Sequence, residues 1–206
     1  MTDAPDFSFE AEAIAAGHLI IAGVDEVGRG PLAGPVTAAA VILNPASIPE
    51  GLNDSKKLSA KKRAAVLDAI LSTAQVGIAH ASVEEIDSLN ILRASHLAMV
   101  RAIAALPVQP DFVLVDGNLL PNDLLSPARP VIGGDAKSVS IAAASIVAKV
   151  TRDEIMVDLG QQYPGYGWEK NAGYPSVAHK SAMKALGVTP HHRRSFKPVH
   201  NILYQA

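Results

Sequence analysis

The feature that most constrains the fold is a run of aliphatic residues, Leu19 to Val24, that stops at an adjacent acid pair, Asp25-Glu26. A run of this length suits a buried strand and is short for a core helix. Glycines and prolines from Gly28 to Pro35 follow, and then a second β-rich run, Val36 to Leu43. So short a connection has no room for a parallel crossover, and the two strands are expected as an antiparallel hairpin. Ser59 to Ser72 reads as a helix with Ser59 as its N-cap, and Val76 to Ala81 as a third strand. Ser82 with Glu84-Glu85 opens a helix of capping-box type, and a longer helix runs from Ile91 to Leu106. Phe112 to Val115 is a short strand closing on Asp116-Gly117, and the extended stretch Arg129 to Ile132 leads into Gly133-Gly134-Asp135. Ser140 to Leu159 reads as a long buried helix, ended by Pro164, Gly165 and Gly167, and Ser176 opens the last clear helix.

A hairpin followed by strands alternating with helices predicts an α/β domain with a mixed sheet. The 206 residues suit one domain. Residues 1–18 are expected as a leader with a short helix over Phe9 to Ala16 and no visible chemistry. Residues 19–206 form the expected domain, with a basic helical segment at its carboxyl end.

The chain has no cysteine, which removes disulfides, thiolate catalysis and cysteine-held zinc or iron–sulfur clusters. Apolar runs are interrupted by Arg101 and Lys149, and the first residues carry acid where a signal peptide needs base. A soluble, cytoplasmic protein is expected. The formal net charge of −2 is not that of a basic nucleic-acid-binding domain, but its distribution is uneven. After Glu169 there is no acid, while Lys170, Lys180, Lys184, Arg193, Arg194 and Lys197 accumulate with four histidines. A second basic cluster is Lys56-Lys57 with Lys61-Lys62-Arg63. One such cluster would be a solvated helix face. Two, with isolated acids elsewhere, suggest a polyanion held over a metal site.

Asp25-Glu26, Asp116 and Asp135 stand where apolar strands run out. A carboxylate at a strand end can point over the sheet edge toward a shared site, and gathered carboxylates need a cation to offset their repulsion. Oxygen donors of this kind suit magnesium or manganese. Two such ions, about 3.5–4 Å apart, can activate a water and stabilise the leaving oxygen of a phosphodiester. A lone Asp beside glycine is explained by turn chemistry, but an Asp-Glu pair is not, since Glu is a poor turn former. Gly28 to Gly34 superficially suggests a dinucleotide-binding turn, yet Pro31 and a β-rich run follow where that motif needs a helix. No Walker lysine loop or serine-hydrolase elbow is present. His179, His191, His192 and His200 lack metalloprotease spacing and read as surface or phosphate-contacting groups.

Six ordered segments resemble the ribonuclease HII family: Ala22 to Pro31, Asn53 to Leu58, Val115 to Gly117, Ala143 to Asp153, Gly173 to Pro175 and His191 to Phe196. The resemblance spans about residue 19 to 200. It implies an RNase H-like mixed β-sheet flanked by helices. It also implies cleavage of the RNA strand of RNA–DNA hybrids and cutting 5′ to ribonucleotides embedded in duplex DNA, leaving 3′-hydroxyl and 5′-phosphate ends. By carry-over Asp25, Glu26, Asp116 and Asp135 are the catalytic acids that bind Mg2+ or Mn2+. Asp25 and Asp116 are expected at the ion that orients the attacking water, and Glu26 and Asp135 at the ion near the departing 3′ oxygen. Gly28, Arg29 and Gly30 would meet the ribonucleotide 2′-hydroxyl through backbone groups, since no Cβ blocks approach at the glycines. Tyr174 would stand near the sugar at the RNA–DNA junction. Lys56, Lys57, Lys149, Arg193 and Arg194 are phosphate-contact candidates, and Asp153 reads as helix-supporting. The expected partners are the hybrid and ribonucleotide-containing duplex DNA, bound by a monomer. Ala172 and Ala142 depart from the family pattern, standing where many members carry Lys and Ser. A metal-dependent phosphatase or junction nuclease, and a silent hybrid-binding module, are the competing readings.

Overall fold

The structure, a computed structural model, describes residues 4–204, so the ends of the expected leader and domain lie outside the described residues. The first helix, α1 (Ser8–Ala15), precedes the expected hairpin, β1 (Ile21–Val27) and β2 (Val36–Ile42). These two strands pair antiparallel from Gly23↔Val41 to Val27↔Thr37. The first strand therefore continues three residues past Val24, and Asp25-Glu26 lie within it rather than after it. The ladder to β2 holds them extended where the apolar pattern has ended.

Next come α2 (Ala60–Thr73), β3 (Gln75–Ala81), α3 (Val83–Leu89) and α4 (Ile91–Ala104). Their starts follow the local chemistry: Ser59 accepts from the Lys62 N–H, and Ser82 and Glu85 close a reciprocal capping box. Then follow β4 (Phe112–Asp116), β5 (Ala128–Val131), a 3₁₀ turn (Gly134–Ala136) and α5 (Val139–Gln162). The sheet order is β3-β2-β1-β4-β5, with β1–β4 and β4–β5 parallel, so the sheet is mixed as expected.

Helices α4 and α5 cover opposite faces. Ala22, Val24, Ala38 and Ala40 pack toward Ala94, Ala98 and Ala102 of α4, while Ala39 and Val41 pack toward Ala142, Ala143 and Ile146 of α5. Small residues let these layers approach closely. At Gly23 an added Cβ would lie 2.2 Å from the Ser140 carbonyl carbon, so the start of α5 rests directly on β1. The carboxyl end forms a separate cluster around Trp168, Met156, Met183 and Val199. It is built from α6 (Trp168–Asn171), α7 (Val177–Leu186) and α8 (Lys197–Tyr204). The last of these follows the helix opened by Ser176. Among the described residues no helix is long and apolar enough to cross a membrane.

Candidate active site

Side chains alternate along β1, so Asp25 and Glu26 leave it on opposite faces. Asp25 faces α5 and is 5% exposed, and its Oδ1 accepts the Glu26 N–H at 2.7 Å. Ser145 of α5 neighbours the same carboxyl and works to lower its pKa, and its hydroxyl is 2.9 Å from the Ser55 hydroxyl, which brings the Asn53-to-Leu58 loop to the site. Glu26 lies on the α4 side, with Oε1 3.2 Å from the Arg29 guanidinium.

Parallel pairing sets Val24 opposite Val115, so Asp25 and Asp116 continue adjacent strands side by side. Asp116 Oδ1 then accepts the Gly134 N–H at 2.7 Å. That bond holds the turn bearing Asp135 against the end of β4. Lys56 Nζ approaches Asp135 to 3.7 Å.

Burial and neighbouring charge shift the protonation of these acids together. Burial holds the Asp25 carboxyl well above the usual 3.8, and the charges of Glu26 and Asp116, with a smaller push from Asp135, raise it further. Glu26 is also raised, chiefly by burial and against the opposing Arg29 charge, with Asp116 adding to the rise. Asp135 is raised by burial, then by Asp54 and Asp116, while Lys56 opposes. For Lys56, burial works downward, but Asp135, Asp54, Asp25 and Asp116 together outweigh it and raise its pKa.

This donor set fits a divalent cation. Glu26 Oε2 is buried with no hydrogen-bond partner among the described residues, so one oxygen of a carboxyl whose other oxygen meets Arg29 is left without a donor. The donors are all carboxylate oxygens, which suit a hard ion such as magnesium or manganese. Among the described residues no three His, Asp or Glu side chains are close enough to enclose an ion. The fit rests on the donor chemistry and on the Glu26 oxygen.

Beside the acids runs the loop of Gly28 to Pro35, held from behind by two buried arginines. Arg193 donates to the carbonyls of Gly28 at 2.6 Å, Gly34 at 3.0 Å, and Arg29 and Pro35 at 3.1 Å. Arg152 donates to Pro35 at 2.9 Å, Ala172 at 3.0 Å and Ala33 at 3.1 Å. Burial, reinforced by the Arg152 charge, brings Arg193 down to about 9, and burial brings Arg152 to about 10, so both stay protonated at neutral pH. Gly28 has φ of +95°, and a Cβ there would lie 2.2 Å from Arg152 Nε. Only glycine fits this spot.

Tyr174 is half-exposed beside the same loop, its Cε1 3.3 Å from where a Cβ on Gly30 would stand. Its main chain is tied to a buried aromatic–imidazole network. Thr189 N–H donates to His192 Nδ1 at 3.0 Å, which puts the His192 proton on Nε2, 3.1 Å from His179 Nε2. Trp168 Nε1–H also donates to His179 Nε2, at 3.0 Å, so His179 carries its proton on Nδ1 and donates it to the Tyr174 carbonyl at 2.9 Å. Burial lowers both imidazoles, with the neighbouring His179 contributing at His192, which falls to about 4.

The ribonuclease HII family profile matches residues 22–199. A ribonuclease HII of Ruegeria pomeroyi is 69% identical over 98% of this chain and 86% of its own length. The chain belongs to the ribonuclease HII family. Among solved structures, the ribonuclease H2 of Pyrococcus horikoshii is similar with a TM-score of 0.76 and 27% identity, over 91% of this chain and 98% of that one. Bst-RNase HIII, solved in complex with Mn2+, shares the fold at a TM-score of 0.72 and 21% identity, over 94% of this chain and 72% of that one.

Within this chain the expected basic contacts separate. Lys56 stands at the acid cluster, and Lys57 is exposed on the same loop. Lys149 is bonded to Asp153 at 2.7 Å, one turn along its own helix, which agrees with a helix-supporting Asp153. Arg194 is exposed, and its N–H donates to Asp87. Arg193 departs from expectation: it is fully buried and its donors hold the glycine loop, so it has no open face for a phosphate. His179 and His192 are likewise buried structural groups rather than surface ones. Arg152, Ser145, Ser55 and Asp54 were not singled out from the sequence. Their signal was a polar residue inside a matched segment, most visibly Ser145 in the apolar first half of α5.

Proposed function

We propose that this chain is an endoribonuclease that hydrolyses the RNA strand of RNA–DNA hybrids and cuts 5′ to ribonucleotides embedded in duplex DNA, leaving 3′-hydroxyl and 5′-phosphate ends. The observation that carries this reading is the placement of Asp25 and Asp116 at the ends of adjacent parallel strands, with Asp116 Oδ1 bonded to the turn that bears Asp135, beside the loop of Gly28 to Pro35. Bound Mg2+ or Mn2+ would supply the charge that activates a water and offsets the developing negative charge on the phosphate and leaving oxygen.

The residues of the chain divide the remaining tasks. Asp25 and Asp116, side by side at the strand ends, would hold one ion, and Glu26 and Asp135 would serve the other. Arg29 and Lys56 temper the excess negative charge without removing it. The loop of Gly28, Arg29 and Gly30, fixed by Arg193, brings main-chain groups against a 2′-hydroxyl, the group that distinguishes RNA from DNA. Tyr174 faces the sugar at the junction. Lys56, Lys57 and Arg194 supply exposed positive charge for the duplex backbone.

Three substrates test the reading: an all-DNA duplex, the same duplex with one ribonucleotide, and a small phosphoester, each with magnesium and then manganese. Metal-dependent incision 5′ to the ribonucleotide, with the other two untouched, is the expected result. Hydrolysis of the phosphoester or the all-DNA duplex would favour a phosphatase or a junction nuclease. Binding without incision would favour a hybrid-binding module.

A further inference from the structure

The turn carrying Asp135 lies between β5 and α5, and α1 with its preceding residues grips both flanks of it. On the β5 side, Arg129 Nη1 lies 2.7 Å from Glu12 Oε2, with its guanidinium 4.9 Å above the Phe9 ring. On the α5 side, the Asp6 main chain brackets Ser138: its N–H donates to the Lys137 carbonyl at 3.0 Å, and its carbonyl accepts the Val139 N–H at 3.1 Å.

Glu10 completes the grip. It is 1% exposed, and its Oε1 accepts the Ser138 hydroxyl at 2.6 Å and the Ser140 N–H at 3.0 Å. Ser138 in turn caps α5 through the Ile141 N–H. With Gly23 pressed against Ser140 from below, the first turn of α5 is wedged between β1 and α1. Glu10 Oε2 is buried with no hydrogen-bond partner among the described residues. A buried carboxylate with one oxygen unsatisfied is costly, and an apolar side chain would tether a leader at less expense. What the carboxylate adds is a fixed position for the helix start, whose N–H groups favour a negative charge.

We propose that the segment from Asp6 to Glu12 is a clamp that sets the position of Asp135 in the metal site, with Glu10 as its positioning residue. The clamp lies outside residues 22–199, the part matched by the family profile. The inference rests on the reading of Asp135 as a metal ligand, and its test separates the two.

Mn2+ binding is measured by calorimetry on the full chain, at a temperature where circular dichroism shows every variant folded. Glu10→Ala is expected to weaken Mn2+ roughly 10-fold, the low end of what residues behind a metal ligand contribute. Glu10→Gln should stay within about twofold of the unaltered chain, since an amide oxygen can accept both donors. In an Asp135→Asn background, Glu10→Ala should weaken binding no further, because coupled residues do not act additively. Arg129→Ala, on the other flank, should show the same background dependence and replaces Glu10→Ala should that variant not fold. A lowered melting temperature with unchanged Mn2+ affinity, or equal weakening in both backgrounds, would overturn the clamp. Unchanged Mn2+ affinity in Asp135→Asn alone would remove the ligand reading and the clamp with it.

Discussion

Arg193 Nη2 donates to the carbonyl oxygen of Gly28 at 2.6 Å, joining positions 165 residues apart. The same guanidinium reaches three further carbonyls of the loop that lies beside the acids. A lysine has the charge but not the planar fork. Arg193→Lys should therefore leave buried carbonyls unsatisfied and destabilise the chain by roughly 3 kcal/mol, read by urea denaturation. Arg194→Ala, at an exposed side chain, should stay within about 0.5 kcal/mol. Unchanged stability with weakened duplex binding in Arg193→Lys would return that residue to the phosphate-contact role.

The acids make a second prediction, about pH. Asp25 and Glu26 have folded-state pKa values raised above 3.8 and 4.5, so the folded chain holds these protons more tightly than the unfolded one. Their contribution to stability is present at low pH and is lost as pH rises through the raised values. A divalent ion binds the ionised carboxylates and restores what is lost. The gain in melting temperature on adding Mg2+ to chelator-treated protein should thus be larger at about pH 8 than at about pH 5. Asp25→Asn should raise the melting temperature of the metal-free protein and shrink that gain. A gain that is equal at the two pH values would contradict the electrostatic account.

Tyr174 and Gly30 should behave as one unit. A Cβ on Gly30 would lie 3.3 Å from Tyr174 Cε1, tight enough to displace the ring. Tyr174→Ala should impair cleavage at a lone ribonucleotide more than on a long hybrid, where neighbouring 2′-hydroxyls offer other registers. Gly30→Ala should shift the same ratio in the same direction, on the order of tenfold, as expected when positioning is lost. An unchanged ratio in both variants would remove Tyr174 from junction recognition.

Much of the frame was readable where its causes are local. Ser59, Ser82 with Glu85, and Ser176 each cap the helix they were expected to open. The acids stood out because carboxylates interrupt apolar strands. What could not be read depends on partners distant in sequence. The end of β1 at Val27 is set by pairing with Thr37 rather than by hydrophobicity. Arg193 sits in a basic run that reads as solvated, and only the carbonyls of Gly28 to Pro35 explain its burial. His179 and His192 are hidden for the same reason, each satisfied by the other and by Trp168 and Thr189. The grip of Glu10 on Ser138 spans 128 positions and leaves no local trace.

The central claim is that the acid cluster performs RNA-strand hydrolysis beside the glycine loop. Asp116→Asn tests it most directly, because the amide keeps an acceptor for the Gly134 N–H while removing the negative charge. Single-turnover cleavage of a duplex with one ribonucleotide, at saturating Mg2+, should fall by about 10³-fold or more, a loss of some 4 kcal/mol of transition-state stabilisation. Affinity for the same duplex should change less than about threefold, since each phosphate contact is left in place. Cleavage at the rate of the unaltered chain would contradict the account.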